Sequence, residues 1–305
     1  MSGERRVATV FGGSGFIGRY IVQRLAARGY VVRVAVRDVP GALFLQTMGR
    51  TGQIVPLYTP LGAEAPVARA TEAAELVINA TGLLSENRKG DFTRVHVDGA
   101  GQIARLAASS GARQVVHLSA IGADPESPSA YGRSKAGGEA AVRAAFPQSV
   151  ILRPSIVFGA EDKFFNRFAA MAGCLPVLPI VGGETKFQPV YVGDVADAAL
   201  AALSPQAAGK TFELGGPEVR TFRQLIEYML KVIEKKRLVM ELPPRLAALQ
   251  AQLLQRLPGK LLTTDQIKML QRDNVVSPGA LGLPELGIVP TPMDLIVPGY
   301  LRPVI

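Results

Sequence analysis

The sequence predicts an α/β protein in which a parallel β-sheet is covered by helices on both faces, and three observations lead to this prediction. Short apolar, β-branched runs alternate with helical patterns along the first half of the chain. The first of these runs ends in a glycine-rich turn that opens a helix. The chain has 305 residues, of which 48% are hydrophobic, and this is enough for one large domain with a second lobe.

The predicted elements follow one another from the N-terminus. RVATVF is the first strand, and Ile17, Ile21 and Leu25 then recur at helical spacing. Gly29 and the strand YVVRVAV complete a βαβ unit. The further predicted strands are QIVPLY, ELVINAT, RQVVHLS and SVILRPSIVF, with helical patterns such as GAGQIARLAASSG between them.

The glycine turn predicts a dinucleotide-binding site. Gly12, Gly15 and Gly18 form G-x-x-G-x-x-G between a strand and a helix, where glycine lets a pyrophosphate approach the backbone and the helix N-terminus offers free N–H groups. The prediction is therefore a Rossmann-type, doubly wound parallel sheet. The residues of the turn that we expect to bind the cofactor are Gly12, Gly13, Ser14, Gly15, Phe16, Ile17 and Gly18.

The end of the second strand favours NADPH over NADH. NAD sites place a carboxylate there for the ribose 2′-hydroxyl, and the usual position is Val36, seven residues after Gly29. Arg37 follows and can bind a 2′-phosphate. A shift of one or two residues in register would bring in Asp38 and restore the NAD prediction. Ala80, Thr81 and Gly82 of VINATG either line the pocket or form a plain turn.

Tyr131 and Lys135 are four residues apart in SAYGRSKAGGEA and share one face of a predicted helix. We expect the lysine charge to lower the phenol pKa and to make Tyr131 a proton donor. With two histidines in apolar contexts and no carboxylate–histidine–cysteine cluster, we expect no metal site. Arg153 and Asp194 are expected to form a structural pair, and the single Cys174 to be buried.

The chain loses its regular alternation after about Phe158. We predict a dinucleotide-binding domain at 1–158 and a smaller, partly helical C-terminal lobe and tail at 159–305, with about 186–215 returning to the first sheet. TFRQLIEYMLKVIEKK is an amphipathic helix. PPRLAALQAQLLQRLPG is a second, with Leu246 to Leu257 on one face as core or as interface. The proline- and glycine-rich tail is expected to wrap a surface and not to form a core.

The net charge of +9 is compatible with several kinds of anionic partner. Lys231, Lys235, Lys236 and Arg237 form a basic cluster that is either a solvated helix face or a contact surface. No arginine–glycine repeats or aromatic–basic interleaving indicate nucleic acid binding. No run of eighteen apolar residues predicts a transmembrane helix, and the strand near Met1 leaves no room for a targeting peptide.

Four segments in this order, GGSGFIG, VINATG, YGRSK and VILRPSIVFG, resemble the extended and atypical short-chain dehydrogenase/reductase superfamily over roughly residues 6 to 225. The resemblance implies that Lys135 bonds the nicotinamide ribose and that Tyr131 is the catalytic acid or base, and it adds Pro154 and Ser155 to the nucleotide-binding residues. Ser119 ends the preceding strand, but the usual hydroxyl positions are Ala120 and Ile121. We therefore expect Tyr131, Lys135 and Ser119 to be vestigial catalytic residues that grip the ribose, with real catalysis as the alternative.

FGAEDKFFNRFA, KFQPVYVGDVADA, FELGGPEVRTFRQLI and the tail resemble the family of nucleotide-binding accessory subunits of mitochondrial-type respiratory complex I, in its bacterial form. This resemblance implies one tightly held NADPH off the electron path. It also implies complex I partners near the junction of the peripheral and membrane arms, membrane-surface contact through the C-terminal region, and a peripheral location on the cytoplasmic side of the inner membrane. The alternative is a free NADPH-dependent reductase or nucleotide-sugar epimerase or dehydratase. An assembly factor is a third possibility.

Overall fold

A computed structural model describes residues 6–242 and 263–301 of the chain. Its centre is a seven-stranded sheet in which every neighbouring pair is parallel. Six strands are β1 (Val7–Phe11), β2 (Val31–Val36), β3 (Ile54–Tyr58), β4 (Leu76–Asn79), β5 (Gln114–Leu118) and β6 (Val150–Pro154). The seventh strand of this sheet is β11 (Thr211–Leu214), and the strand order is β11-β6-β5-β4-β1-β2-β3.

The strand order makes the sheet doubly wound. From β1 the chain moves outward through β2 to β3, and it then crosses back to β4 and moves outward in the other direction. β1 therefore lies between the two halves, with Val10 beside both Val34 and Ile78. In such sheets the crevice for a ligand opens at this reversal, outside the carboxyl ends of the strands. The predicted fold class is confirmed.

Helices cover both faces of the sheet. On one face, α1 (Phe16–Ala27) packs against α6 (Val192–Ala201), and their small and branched side chains join one core cluster with the strands. On the other face lie α2 (Glu64–Thr71), α3 (Gly99–Ser109) and α4 (Ala130–Ala145). A 3₁₀ helix (Pro40–Met48) follows β2, and a π-helical segment (Thr93–Asp98) leads into α3. β4 and β5 are buried along their whole length, which explains why apolar residues predominate in both strands.

A smaller lobe has a core of its own. It contains α5 (Phe165–Cys174), α7 (Phe222–Val232) and the parallel pair of β8 (Val177–Ile180) with β13 (Leu238–Glu241). Two further short pairs are β7 (Val157–Phe158) with β10 (Val190–Tyr191) and β9 (Lys186–Phe187) with β12 (Arg220–Thr221). The predicted helix near Phe222 is present as α7, which begins at a capping box formed by Thr221 and Gln224. The division at Phe158 stays a prediction.

The tail differs from the expectation. It contains α8 (Thr264–Met269), a 3₁₀ turn (Pro284–Leu286) and α9 (Met293–Tyr300). Leu283 is buried in the core of the main sheet, and Val297 is buried in the core of the lobe. The expectation that the tail only wraps a surface is therefore wrong, because single apolar residues between its prolines and glycines fill both cores.

Two further predictions concern Cys174 and the leucine-rich helix. Cys174 ends α5 and is exposed, so the predicted buried thiol is wrong. The leucine-rich helix predicted over Leu246 to Leu257 lies outside the described residues. In the part of the chain that the structure describes, no helix combines the length and apolarity needed to cross a bilayer.

Candidate nucleotide-binding site

The glycine turn connects β1 to α1 with its backbone packed tightly. Gly12 has φ +74°, a conformation that favours glycine. A Cβ on Gly12 would lie 2.8 Å from the carbonyl oxygen of Ala80, and one on Gly18 would lie 2.2 Å from the carbonyl oxygen of Gly12. The Gly15 amide closes the turn by donating to the Gly12 carbonyl at 3.0 Å. The turn therefore needs glycine at these positions for its own geometry, and it places the crevice between β1 and β4.

The first turn of α1 is suited to an anion. Its N-cap, Gly15, offers no side-chain hydrogen bond to the amides that follow, and no acidic residue lies in the first turn. Ser14 and Phe16 are half-buried beside it. The backbone N–H groups and the positive end of the helix dipole favour a phosphate at this point. The residues present thus fit the pyrophosphate of a dinucleotide.

Arg37 and Asp38 follow β2 and differ in what their side chains do. Arg37 is exposed and makes no ion pair among the described residues. The Asp38 carboxylate instead turns toward the 3₁₀ helix, where its Oδ1 accepts the Gly41 amide at 3.0 Å. Asp38 is therefore occupied by the local turn, while the Arg37 guanidinium remains available.

The wall opposite the glycine turn is formed after β4. Asn79 Oδ1 accepts hydrogen bonds from the Thr81 amide at 3.1 Å and from the Thr81 hydroxyl at 2.6 Å. This turn holds the carbonyl of Ala80 against Gly12 and leaves Gly82 exposed. VINATG thus ends in a tight turn beside the glycine turn, and its role in lining a nucleotide pocket stays a prediction.

Lys135 and Tyr131 lie near the carboxyl end of β5. Lys135 is 3% exposed, and its Nζ donates to the Leu118 carbonyl at 2.7 Å, which leaves further N–H groups free for a ligand. Burial lowers the pKa of Lys135 to about 8. Burial also raises the pKa of Tyr131 to about 12, so the expected lowering of the phenol pKa by Lys135 is wrong for this structure. Desolvation of the phenolate by burial is the cause of this shift.

His96 was not singled out from the sequence and lies against Tyr131. The two rings meet edge-on with centroids 5.6 Å apart, and Phe92 stacks on His96 and also meets the Tyr131 ring edge-on at 5.9 Å. His96 Nε2 accepts the Leu83 amide at 2.9 Å, and its Nδ1 lies 2.8 Å from the Ser134 hydroxyl. Burial lowers the pKa of His96 to about 3, so the imidazole is neutral. Its ring packs edge-on against the Tyr131 ring.

Ser119 is turned away from the role that the resemblance would give it. Its hydroxyl donates to the Glu139 carboxylate, which is also held by Arg153 in a two-point ion pair at 2.7 and 2.9 Å. Arg153 reaches Glu213 at 3.5 Å as well. The predicted pair of Arg153 with Asp194 is wrong, because Asp194 instead accepts the amide and hydroxyl of Thr291 at 2.7 and 2.8 Å.

Pro154 and Ser155, at the end of β6, also form hydrogen bonds with other parts of the chain. The Pro154 carbonyl accepts the Ile121 amide at 3.0 Å. The Ser155 hydroxyl lies 2.7 Å from Asn274 Oδ1, in the tail. Among the described residues, no group of three or more His, Cys, Asp or Glu side chains could hold a metal ion.

The site residues thus form two groups along one edge of the sheet. The glycine turn, Arg37 and residues 80–82 lie at the ends of β1, β2 and β4, and the Tyr131 group lies at the ends of β5 and β6. From β2 to β6 there are four inter-strand spacings, about 19 Å. The predicted cofactor residues therefore lie along one edge, on both sides of the N-terminus of α1.

Comparison with known proteins agrees with this geometry. The model of the NAD dependent epimerase/dehydratase family matches residues 8–215. The crystal structure of gox2253 superposes with a TM-score of 0.74 at 20% identity, covering 97% of this chain and 96% of that one. The chain belongs to the NAD dependent epimerase/dehydratase family.

Three named relatives are similar to this chain in sequence. The "NADH dehydrogenase [ubiquinone] 1 alpha subcomplex subunit 9, mitochondrial" of Arabidopsis thaliana is 38% identical over 93% of this chain and 74% of its own length. The protein of the same name from Mus musculus is 36% identical over 95% and 78%. A "Ceramide reductase" of Caulobacter vibrioides is 33% identical over 63% of this chain and 59% of its own length.

Proposed function

We propose that this chain is an NADPH-holding accessory subunit of a respiratory NADH:ubiquinone oxidoreductase, complex I, and that it does not turn over its own nucleotide. The observation that carries the proposal is the combination of a complete nucleotide cradle with a Tyr–Lys pair whose companion hydroxyl is engaged elsewhere. The similarity to complex I subunits over more than nine-tenths of the chain supports the choice of partner.

Each part of the cradle has a distinct task in this proposal. The amides of the glycine turn and of α1 bind the pyrophosphate, with residues Gly12, Gly13, Ser14, Gly15, Phe16, Ile17 and Gly18 forming its bed. Ala80, Thr81 and Gly82 close the opposite wall. The remaining N–H groups of Lys135 and the hydroxyl of Tyr131 hold the nicotinamide ribose, with Pro154 and Ser155 beside it.

Arg37 supports NADPH over NADH. It is exposed at the end of β2, where the 2′-position of the adenine ribose is read in this kind of fold. The neighbouring Asp38 could repel a 2′-phosphate, but its carboxylate is directed to Gly41. A guanidinium with free N–H groups binds a phosphate through charge-assisted hydrogen bonds.

The absence of turnover rests on the surroundings of Tyr131. A carbonyl reductase needs a second donor beside its tyrosine to stabilise developing negative charge. Ser119 donates to Glu139, and Ala120 and Ile121 have no side-chain donor. The nucleotide would then stabilise the fold by mass action, as any ligand that binds only the native state does.

A basic groove in the small lobe is the proposed contact with neighbouring subunits or the membrane surface. The groove has a volume of about 680 Å³. Lys231, Lys235, Lys236 and Arg237 line it beside Leu238, which is 64% exposed. Positive charge next to exposed apolar side chains suits an anionic and partly apolar partner. We propose that this side faces the junction of the peripheral and membrane arms, on the cytoplasmic side of a bacterial inner membrane.

A free enzyme, either an NADPH-dependent reductase or a nucleotide-sugar epimerase or dehydratase, is the second candidate. The retained Tyr131–Lys135 pair and the family match at residues 8–215 favour it. Purification of a tagged chain from gently solubilised native membranes distinguishes the two candidates, because they predict different co-purifying proteins. We expect the subunits of a large NADH:quinone oxidoreductase with about one NADPH per tagged chain, measured by mass spectrometry. Recovery of a soluble monomer or small oligomer without respiratory subunits would contradict the complex I proposal and favour the free enzyme.

A further inference from the structure

Part of the tail crosses the same edge of the sheet as the candidate site. Residues 263–276 contain α8 and the extended piece after it. Asp265, on α8, accepts the Ala130 amide at 2.7 Å and the Tyr131 amide at 3.0 Å, and its Oδ2 also accepts the Ser129 hydroxyl at 2.8 Å. Its carboxylate therefore caps the helix that carries Tyr131 and Lys135, which complements the positive end of that helix.

A second contact fixes the segment at the ends of β5 and β6. Asn274 Nδ2 donates to the Ile121 carbonyl at 3.2 Å, and Asn274 Oδ1 lies 2.7 Å from the Ser155 hydroxyl. The Asn274 carbonyl also accepts the Gln188 amide at 3.1 Å. One side chain thus joins the loops that follow two neighbouring strands.

A third contact is made by Arg272, which lies between Asp265 and Asn274 in the sequence. Arg272 forms an ion pair with Asp124 at 2.7 Å, in the loop that connects β5 to α4. The Thr185 hydroxyl donates to the Leu270 carbonyl. The segment therefore contacts the start of α4, the β5–α4 loop and the end of β6, which lie at the carboxyl edge of the sheet, where ligands bind in doubly wound sheets.

We propose that residues 263–276 occupy the acceptor side of the nucleotide site, and that Asp265 is a positioning residue that couples the docking of this segment to the grip of Tyr131 and Lys135 on the nucleotide. This inference rests on the proposed NADPH binding. In this proposal the segment stands where a carbonyl substrate would approach Tyr131, and it does not compete with the nucleotide. The site then holds one ligand and exchanges no hydride.

The coupling follows from a shared helix. Asp265 orders the first turn of α4 from the tail, and a bound ribose orders the same helix through Tyr131 and Lys135. When two binding partners favour the same arrangement of one helix, each increases the affinity of the other by the same factor. The partners here are the tail segment and the nucleotide. NADPH should therefore hold the tail segment in place, and the tail segment should hold NADPH.

The test uses the purified full chain in three versions: wild type, Asp265→Ala and Asp273→Ala. Asp273 is the matched control, because it is in the same segment and its carboxylate accepts the Lys186 amide at 2.8 Å, not an amide of α4. The readouts are the Kd for NADPH by calorimetry and hydrogen exchange of residues 129–135 and 263–276 with and without NADPH. Melting temperatures identify the variants that fold.

We expect NADPH to slow exchange of residues 263–276 in the wild type and in Asp273→Ala. In Asp265→Ala the Kd should rise roughly 10-fold and this protection should be lost. If Asp265→Ala does not fold, Asp265→Asn takes its place, since it keeps the side-chain volume and one acceptor oxygen, and an increase of roughly 3-fold is then expected. Wild-type affinity and exchange in a folded Asp265 variant would overturn this inference alone. Absence of NADPH binding to the wild type would overturn the proposed function and this inference together.

Discussion

Single residues decide which nucleotide the chain binds. Val36, where NAD sites place a carboxylate, is buried and apolar, and the adjoining acid is satisfied by the backbone amide of Gly41. The sequence alone left the register open, because Arg37 and Asp38 are neighbours and either could face the ribose. In the structure Asp38 accepts the Gly41 amide, and for this reason the proposal assigns the 2′-phosphate to Arg37.

Replacement of Arg37 by alanine should weaken NADPH binding selectively. Charge-assisted hydrogen bonds to a phosphate are worth about 1.5–3 kcal/mol, so the Kd for NADPH should rise roughly 10- to 100-fold while the Kd for NADH changes little. Fluorescence titration with both nucleotides measures this. Arg28→Ala is the control, since Arg28 is also exposed but lies at the opposite end of α1. Equal losses for NADPH and NADH in Arg37→Ala would show that Arg37 does not read the 2′-phosphate.

The pH dependence of NADPH binding should report Lys135. Burial lowers the lysine pKa from 10.5 to about 8, so the ammonium is charged below about pH 8 and neutral above it. NADPH is an anion and favours the charged form. We therefore expect a constant Kd between pH 6 and about 7.5 and a rising Kd above about pH 8, by at most roughly 10-fold per pH unit. The pKa of His96 is about 3 and that of Tyr131 about 12, so neither titrates in this range.

The stability of the nucleotide-free chain should change with pH in the opposite direction. Between about pH 8 and 10.5 the unfolded chain binds more protons at Lys135 than the folded chain does, so this residue makes stability rise with pH. Lys135→Met removes the titrating group and keeps most of the side-chain volume. This variant should have a higher Kd for NADPH, and its Kd should no longer rise above pH 8. A Lys135→Met variant with the wild-type pH profile would assign the titration to another group.

At the scale of single elements, the sequence predicted the features that depend on residues close together in the chain. The glycine turn, α1 and the one-face placement of Tyr131 and Lys135 follow from spacing within one βα unit or one helix. The orientation of Ser119 does not, because it depends on Glu139, twenty residues away on α4, and on the Arg153 ion pair across β6. Buried polar groups find partners wherever the fold brings them, and such partners have no sequence period.

The Gly18→Ala substitution tests the glycine turn as an element. A Cβ at this position would meet the Gly12 carbonyl at 2.2 Å, so the turn must shift. We expect a cost of about 1–3 kcal/mol in the free energy of unfolding and a loss of NADPH binding of at least roughly 10-fold. Gly299→Ala in α9 is the control, since a Cβ there meets nothing within 4 Å. Thermal unfolding with and without NADPH measures both effects, and wild-type behaviour of Gly18→Ala would contradict the packed turn.

At the scale of the whole molecule, the tail connects the two cores with the site. Leu283 packs under the main sheet, Val297 packs in the small lobe, and Asp265 and Asn274 contact the edge between them. The sequence could not predict this arrangement, because Asp265 contacts α4 across more than 130 residues. Its local signal was only a helix cap, with Thr263 and Gln266 forming a capping box.

The Tyr131→Phe variant distinguishes a chain that only holds NADPH from one that uses it in a reaction. This change removes one hydroxyl and keeps the ring that packs against His96 and Phe92. The complex would be purified from cells that carry the variant, and its NADH:quinone activity and its NADPH content would be measured on the same sample. We predict near wild-type activity with NADPH still bound. Loss of activity with NADPH still bound would contradict the proposal that the chain only holds NADPH and make Tyr131 a catalytic residue.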